Sequence, residues 1–167
     1  MAKILSIIAP NDFQDIEYSD SKSALEKSGH EVITASSQPQ TTGKFGLEVT
    51  TDILISKIDP ENYDAIAFIG GPGVYQFFEN KRLQDLAKTF YKSGKPTCAI
   101  CAAPVILANA GLLQDKKSTC WDGEGETIQS KGALYSGNDV EVDGNIITAN
   151  GPASAKKFGE TIAKALK

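Results

Sequence analysis

A single histidine, His30, serves the whole chain. Any hydrolase built on a Cys–His pair would have to use it. The chain has three cysteines, an odd number that gives no disulfide framework and suits a reducing compartment. A structural zinc site wants about four soft ligands, which three Cys and one His barely supply. No excess of basic residues is present: the net charge is −4, which argues against a general nucleic-acid or membrane-surface binder. Nor does any apolar run approach the ~20 residues of a membrane span. Lys3 and the run from Ile4 to Ala9 are too short for a signal-peptide core, so the chain reads as cytoplasmic. No repeat, low-complexity tract or interdomain linker breaks it. Residues 1–167 read as one domain, long enough for a sizeable core.

What is present is a series of short apolar runs separated by helical patterns. Residues 4–9, 30–35, 65–69 and 97–100 suit strands buried on both faces. Between them the pattern predicts a helix over 15–28, ended by Gly29 and thinly apolar (Ile16, Ala24, Leu25), so that it reads as a surface helix packed by one edge. A second is expected over 81–93, with Leu83, Leu86, Ala87, Phe90 and Tyr91 on one face. A third follows over 102–110, and a last over 153–166. Residues 36–43 read as a surface loop, 44–50 and 52–55 as two short strands of a flap or hairpin, and 118–121 as another strand. Residues 122–131 read as loop or short helix, and Asp143-Gly144 marks a hairpin between 140–142 and 145–149. Strands alternating with helices predict an α/β domain with a largely parallel sheet covered on both faces. Such sheets carry their sites at the C-terminal strand ends. Three loops should meet there: 10–17, 70–74 and 101–104.

Cys101 stands on the last of these loops, between a buried strand and a helix N-terminus. That is the layout of a nucleophile elbow, and a thiol at a helix start loses its proton more easily. The alternative is a buried structural cysteine. Cys98 completes a C-x-x-C but lies inside the strand, so it reads as an inert core thiol. Cys120 reads as core, with a resolving thiol as the alternative. His30 begins a parallel strand, at the end of the sheet opposite Cys101, which excludes a Cys–His dyad. The thiol then needs another partner. Asp12, Asp15 and Glu17 are available. Asp12 and Asp15 read as dipole-complementing residues on a solvated face, whereas a buried carboxylic acid could donate a hydrogen bond to a thiolate. Gly70-Gly71-Pro72-Gly73 is a weak match to any phosphate loop. It could instead be a plain turn, or one that aims the Gly71 N–H at the thiol. Together with the Ala102 N–H it would then form an oxyanion hole.

Four blocks, residues 13–17 (FQDIE), 63–73 (YDAIAFIGGPG), 99–104 (AICAAP) and 147–152 (ITANGP), lie in the order and spacing of one family. Together they resemble the ThiJ/PfpI superfamily, which spans deglycase-like proteins and intracellular proteases. The resemblance implies a flavodoxin-like three-layer sandwich, usually a homodimer, with no cofactor or metal. It implies Cys101 as the reactive thiol, Glu17 as the protonated carboxyl against it, and the Gly71 and Ala102 amides as oxyanion donors. Protease-like members carry His directly after the cysteine, where this chain has Ala102. Deglycase-like members keep a His near the position of Trp121. A Cys–His protease is therefore disfavoured, and glyoxalase or deglycase chemistry on small carbonyl compounds loses its usual proton shuttle. Asp122, Glu124 or Glu126, or a group from a partner subunit, could stand in, with Trp121 and Asp122 near the pocket. A hydratase or amidotransferase-like hydrolase is a further variant. The rival to an enzyme is a redox sensor or stress-protective dimer in which Cys101 is oxidised.

Overall fold

The computed structural model describes residues 1–167. In chain order the strands and helices are β1 (Lys3–Ile7), β2 (Asn11–Phe13), α1 (Asp15–Lys27), β3 (Glu31–Ser36), β4 (Gln40–Gly43), β5 (Glu48–Thr50) and β6 (Ile53–Leu54). Then come β7 (Ala65–Phe68), α2 (Lys81–Lys92), β8 (Thr97–Ile100), α3 (Pro104–Asn109), β9 (Lys117–Ser118) and α4 (Gly125–Ser130). The chain ends with β10 (Leu134–Tyr135), β11 (Val140–Asp143), β12 (Ile146–Ala149) and α5 (Ala155–Ala165). Seven strands form the central sheet in the order β11-β12-β8-β7-β1-β3-β6. All its pairs are parallel except β11 with β12. This is a three-layer α/β fold of flavodoxin type. Ala65–Phe68 and Thr97–Ile100 are buried at every position, as strands covered on both faces must be. No helix is long and apolar enough to cross a membrane.

The strands β1, β7 and β8 are neighbours at the middle of the sheet, so the loops that follow them meet at one edge. This places residues 10–14, 70–74 and 101–103 together, as parallel topology requires. His30 lies at the other end, just before β3, where its Nδ1 accepts the Ala2 N–H at 3.0 Å.

Several sequence expectations are corrected. The thin apolar stripe of α1 does not mark a surface helix. Ile16 is exposed, and the buried face is Asp15, Glu17, Tyr18, Ser21, Ala24 and Leu25. Half of that face is polar because it serves the site and packs closely on α5. There Gly159 leaves no room for a side chain against the Ser21 carbonyl and Ala24. Residues 36–43 are not all loop: Gln40–Gly43 forms β4, paired with β2 and, antiparallel, with β5. Ile53–Leu54 does not join that hairpin but extends the main sheet beside β3. The alternation of small polar residues in β4 and β5 gives no apolar signal, since this sheet is mostly exposed. The strand over 118–121 is reduced to Lys117–Ser118, paired in parallel with Leu134–Tyr135. The helix over 102–110 starts at Pro104, because residues 101–103 are used in a turn.

Candidate active site

Cys101 adopts φ 65°, a left-handed conformation unusual for a side chain of this kind. Its strain is held from two sides. The Cys101 N–H donates to the Ala149 carbonyl at 2.9 Å, and the Cys101 carbonyl accepts the Trp121 N–H at 2.7 Å. A residue fixed in this way at a strand–helix turn is a nucleophile elbow. Cys98 and Cys120 are buried, and the Cys120 thiol donates to the Trp121 carbonyl.

The sulfur faces two main-chain donors. The Gly71 and Ala102 N–H groups hydrogen-bond to it, and neither has a backbone carbonyl to satisfy instead. Gly71 reaches this position with φ 104° and has Gln14 and Asp12 main chain packed against it, so only glycine fits. The Gln14 N–H donates to the Gly70 carbonyl at 2.9 Å, tying this turn to the start of α1.

Glu17 is fully buried, in the first turn of α1. Its Oε1 accepts the Gly70 N–H at 3.0 Å. Its Oε2 has no oxygen or nitrogen partner, and the side chain that couples to this carboxyl is Cys101. Burial raises the Glu17 pKa from 4.5 to about 7, against the opposing pull of the Cys101 and Gly70 hydrogen bonds. Burial, and then the charge of an ionised Glu17, push the Cys101 thiol up to about 12, while the Gly71 and Ala102 N–H groups pull it down. This corrects the expectation of a thiol acidified by a helix end: α3 is six residues long and begins three residues later. The state of Glu17 governs the sulfur. With the proton on the carboxyl, the repulsion vanishes and the acid can donate to a thiolate.

Gly70 packs between the two groups. A Cβ added there would stand 2.6 Å from the Cys101 Cβ and 2.8 Å from both Glu17 Oε1 and the Ile100 carbonyl. Gly70→Ala is therefore expected to cost about 1–3 kcal/mol of stability, as overpacking does. It should also slow Cys101 alkylation at least tenfold, the fold-change of ~1.4 kcal/mol in the barrier. Urea unfolding and iodoacetamide labelling would measure both, and wild-type values for either would refute the close packing.

Cys101 opens onto a cavity of about 420 Å³ lined by Gln14, Lys44, Phe45, Gly71, Pro72, Tyr75, Ala102 and Trp121. Trp121 thus stands where expected. Asp122 does not line the cavity; it starts a 3-10 turn and is exposed. Of the three acids expected to replace histidine, Glu126 is exposed, whereas Glu124 accepts the Tyr75 hydroxyl at 2.8 Å. The Tyr75 pKa is raised by burial and by that carboxylate. Asp12 is exposed, at φ 58°. Asp15 is not on a solvated face. It is buried, and its two carboxylate oxygens accept the Phe45 and Leu47 N–H groups, each at 2.9 Å. Sequence reasoning missed Lys44, Phe45 and Tyr75. They arrive on a hairpin and a 3-10 turn, which carry no periodic signal. No cluster of three or more His, Cys, Asp or Glu side chains could hold a metal.

The model of the DJ-1/PfpI family matches residues 2–165. A deglycase of Pyrococcus horikoshii is 33% identical over 166 residues, 99% of each chain. Among solved structures, a ThiJ/PfpI domain protein from Brachyspira murdochii superposes with a TM-score of 0.96 at 34% identity, over 98% of this chain and 95% of that one. Toxoplasma gondii DJ-1, in an oxidised form, gives 0.86 at 31% identity, over 98% and 95%. With the elbow cysteine, the buried glutamate and the paired amides already in place, these matches show that the chain belongs to the DJ-1/PfpI family.

Proposed function

We propose that this protein is a cysteine-dependent enzyme acting on small carbonyl compounds, with chemistry of the glyoxalase or deglycase kind. The observation that carries this reading is that Cys101, which opens onto one cavity, has two main-chain donors at its sulfur and the buried Glu17 carboxyl, of pKa about 7, coupled to it. The Cys101 sulfur adds to an aldehyde carbon. A C–S bond forms, and the carbonyl π pair moves to oxygen, against the Gly71 and Ala102 N–H groups. The thiol proton, held on Glu17, passes to that oxygen and leaves a thiohemiacetal. For a 2-oxoaldehyde, a proton then moves from the former aldehyde carbon to the neighbouring carbonyl carbon, and the hydroxyl proton passes to that carbonyl's oxygen, so that the carbon bonded to sulfur becomes the thioester carbonyl. Water finally cleaves the resulting thioester to a 2-hydroxy acid and restores the thiol. Tyr75 and Glu124 form the proton relay that the missing histidine leaves open, because Tyr75 lines the cavity and its hydroxyl donates to a carboxylate.

Methylglyoxal turnover is expected in the wild type and absent in Cys101→Ala. Tyr75→Phe should lower kcat about 10²-fold with KM little changed, the size of a general acid–base contribution. Turnover that survives Cys101→Ala would overturn the reading.

The absence of any imidazole in the site favours a second reading, a redox sensor. There, two equivalents of hydrogen peroxide take the Cys101 thiolate to sulfenate and then sulfinate, each giving one oxygen to sulfur and leaving as water. The same Gly71 and Ala102 N–H groups and a protonated Glu17 would bond the sulfinate oxygens. A gain of two oxygens on intact protein, lost in Cys101→Ala, without methylglyoxal turnover would decide for the sensor. Both readings take the protein as a cytoplasmic homodimer that needs no cofactor, nucleic acid or membrane. The exposed Ile16 and Leu47 beside the first turn of α1 support self-association.

A further inference from the structure

The cavity over Cys101 has an electrical asymmetry. Lys44 is the one charged side chain in its lining, and no carboxylate lines it. Lys44 has no ion-pair partner; the chain's two ion pairs are Lys22–Glu26 and Lys81–Asp85. Its Nζ lies 5.5 Å from the centroid of the Phe45 ring, over the ring face. The nearby Asp15 carboxylate is fully engaged by the Phe45 and Leu47 N–H groups, and Glu124 is engaged by Tyr75 and Thr127.

The main chain that carries Lys44 is fixed. The Lys44 N–H donates to the Phe13 carbonyl at 2.9 Å, the Gly43 N–H to Leu47 at 2.8 Å and the Gly46 N–H to Gly43 at 3.0 Å. Gly43 lies flat on the Asp15 carboxyl, where a Cβ would come within 2.6 Å of Oδ1. A buried acid thus spends its charge on two amides to hold a lysine at the mouth of a thiol pocket.

We infer that this cavity selects carbonyl substrates bearing a carboxylate beside the reacting carbon, the 2-oxo acids, with Lys44 as the residue that binds the carboxylate. The inference rests on the carbonyl reading above and names its substrate class. A 2-oxo acid fits the division of charge. Its carbonyl oxygen goes to the Gly71 and Ala102 N–H groups, its carboxylate to Lys44, away from Glu17. With glyoxylate, sulfur adds to the aldehyde carbon and the thiol proton ends on the former carbonyl oxygen, so the step needs no further reactant.

Iodoacetate and iodoacetamide test this directly, since they differ in charge and little in shape. Cys98 and Cys120 are buried, and Cys101→Ala supplies the blank. The ratio of the two Cys101 alkylation rates cancels changes in thiol reactivity. At low salt, Lys44→Met should lower the iodoacetate/iodoacetamide ratio about fivefold, the effect of one close charge in a water-filled mouth. Lys44→Arg should keep the ratio, and salt should lower it in the wild type and in Lys44→Arg but not in Lys44→Met. An equal ratio in wild type and Lys44→Met, with both reagents labelling Cys101, overturns the inference and leaves the carbonyl reading standing. Failure of both reagents to label Cys101 overturns the carbonyl reading and the inference with it. A readout without the thiol is also at hand: Trp121 is the chain's only tryptophan and lines the cavity. In Cys101→Ser, glyoxylate should quench its fluorescence saturably, with a Kd at least fivefold weaker once Lys44→Met is added. An unchanged Kd overturns the assignment of Lys44.

Discussion

Glu17→Gln is expected to raise the thermal midpoint at pH 8 and to leave it little changed at pH 4. The carboxyl has a pKa of about 7 in the folded chain against an ordinary 4.5. A raised acid pKa means that the folded state holds its proton more tightly than the unfolded state. The wild type therefore has its full stability from this group below pH 4.5 and loses it as the pH climbs through 7. Above that, the loss amounts to about 3 kcal/mol, from 1.36 kcal/mol per pKa unit. Glutamine keeps an oxygen for the Gly70 N–H and has no charge to bury. For a chain of this size each kcal/mol moves the midpoint by roughly 2–4 °C, so the gain at pH 8 should be roughly 6–12 °C. Thermal melts of both proteins from pH 4 to 8 would show it. Parallel curves would mean that Glu17 ionises freely and that burial does not hold its proton.

Cys101 alkylation should rise in two steps with pH. The first, near 7, follows loss of one proton from the Cys101–Glu17 pair, when a share of the molecules carry the charge on sulfur and the proton on the carboxyl. The second, toward 12, removes the remaining proton. Glu17→Gln abolishes the first step and leaves one transition. That transition should lie below 12, because the carboxylate charge that pushes the thiol up is gone. Iodoacetamide rates between pH 5 and 11 would distinguish the two profiles. One transition near the ~8.5 of a free thiol in both proteins would show an uncoupled cysteine and remove the basis of the proposed chemistry.

The parts of this site that stand on buried strands were legible in the residues. Ile4–Ala9, Ala65–Ile69 and Thr97–Ile100 are unmistakable apolar runs, and their parallel pairing forces the loops carrying Gly71 and Cys101 together. His30 was placed correctly at the far end by the same reasoning. Other parts were hidden because tertiary contacts decide them. Glu17, Tyr18 and Ser21 occupy the inner face of α1, so hydropathy assigned the helix to the surface. Asp15 looked like an exposed helix-start acid, yet its partners are the amides of Phe45 and Leu47, thirty and thirty-two residues away. Tyr75 and Lys44 belong to segments too short for any period to show.

Both donors that face the sulfur belong to the main chain, and this bears on how the fold diversifies. A main-chain N–H is present whatever side chain the position bears, proline excepted. With Ala102 directly after the cysteine, the anion cradle keeps both of its N–H groups. Mutation can explore Lys44, Phe45, Tyr75 and Trp121, all on the periphery, while the reactive centre stays constant. Such a division lets one scaffold acquire new specificities by single substitutions, without first dismantling what makes its cysteine reactive.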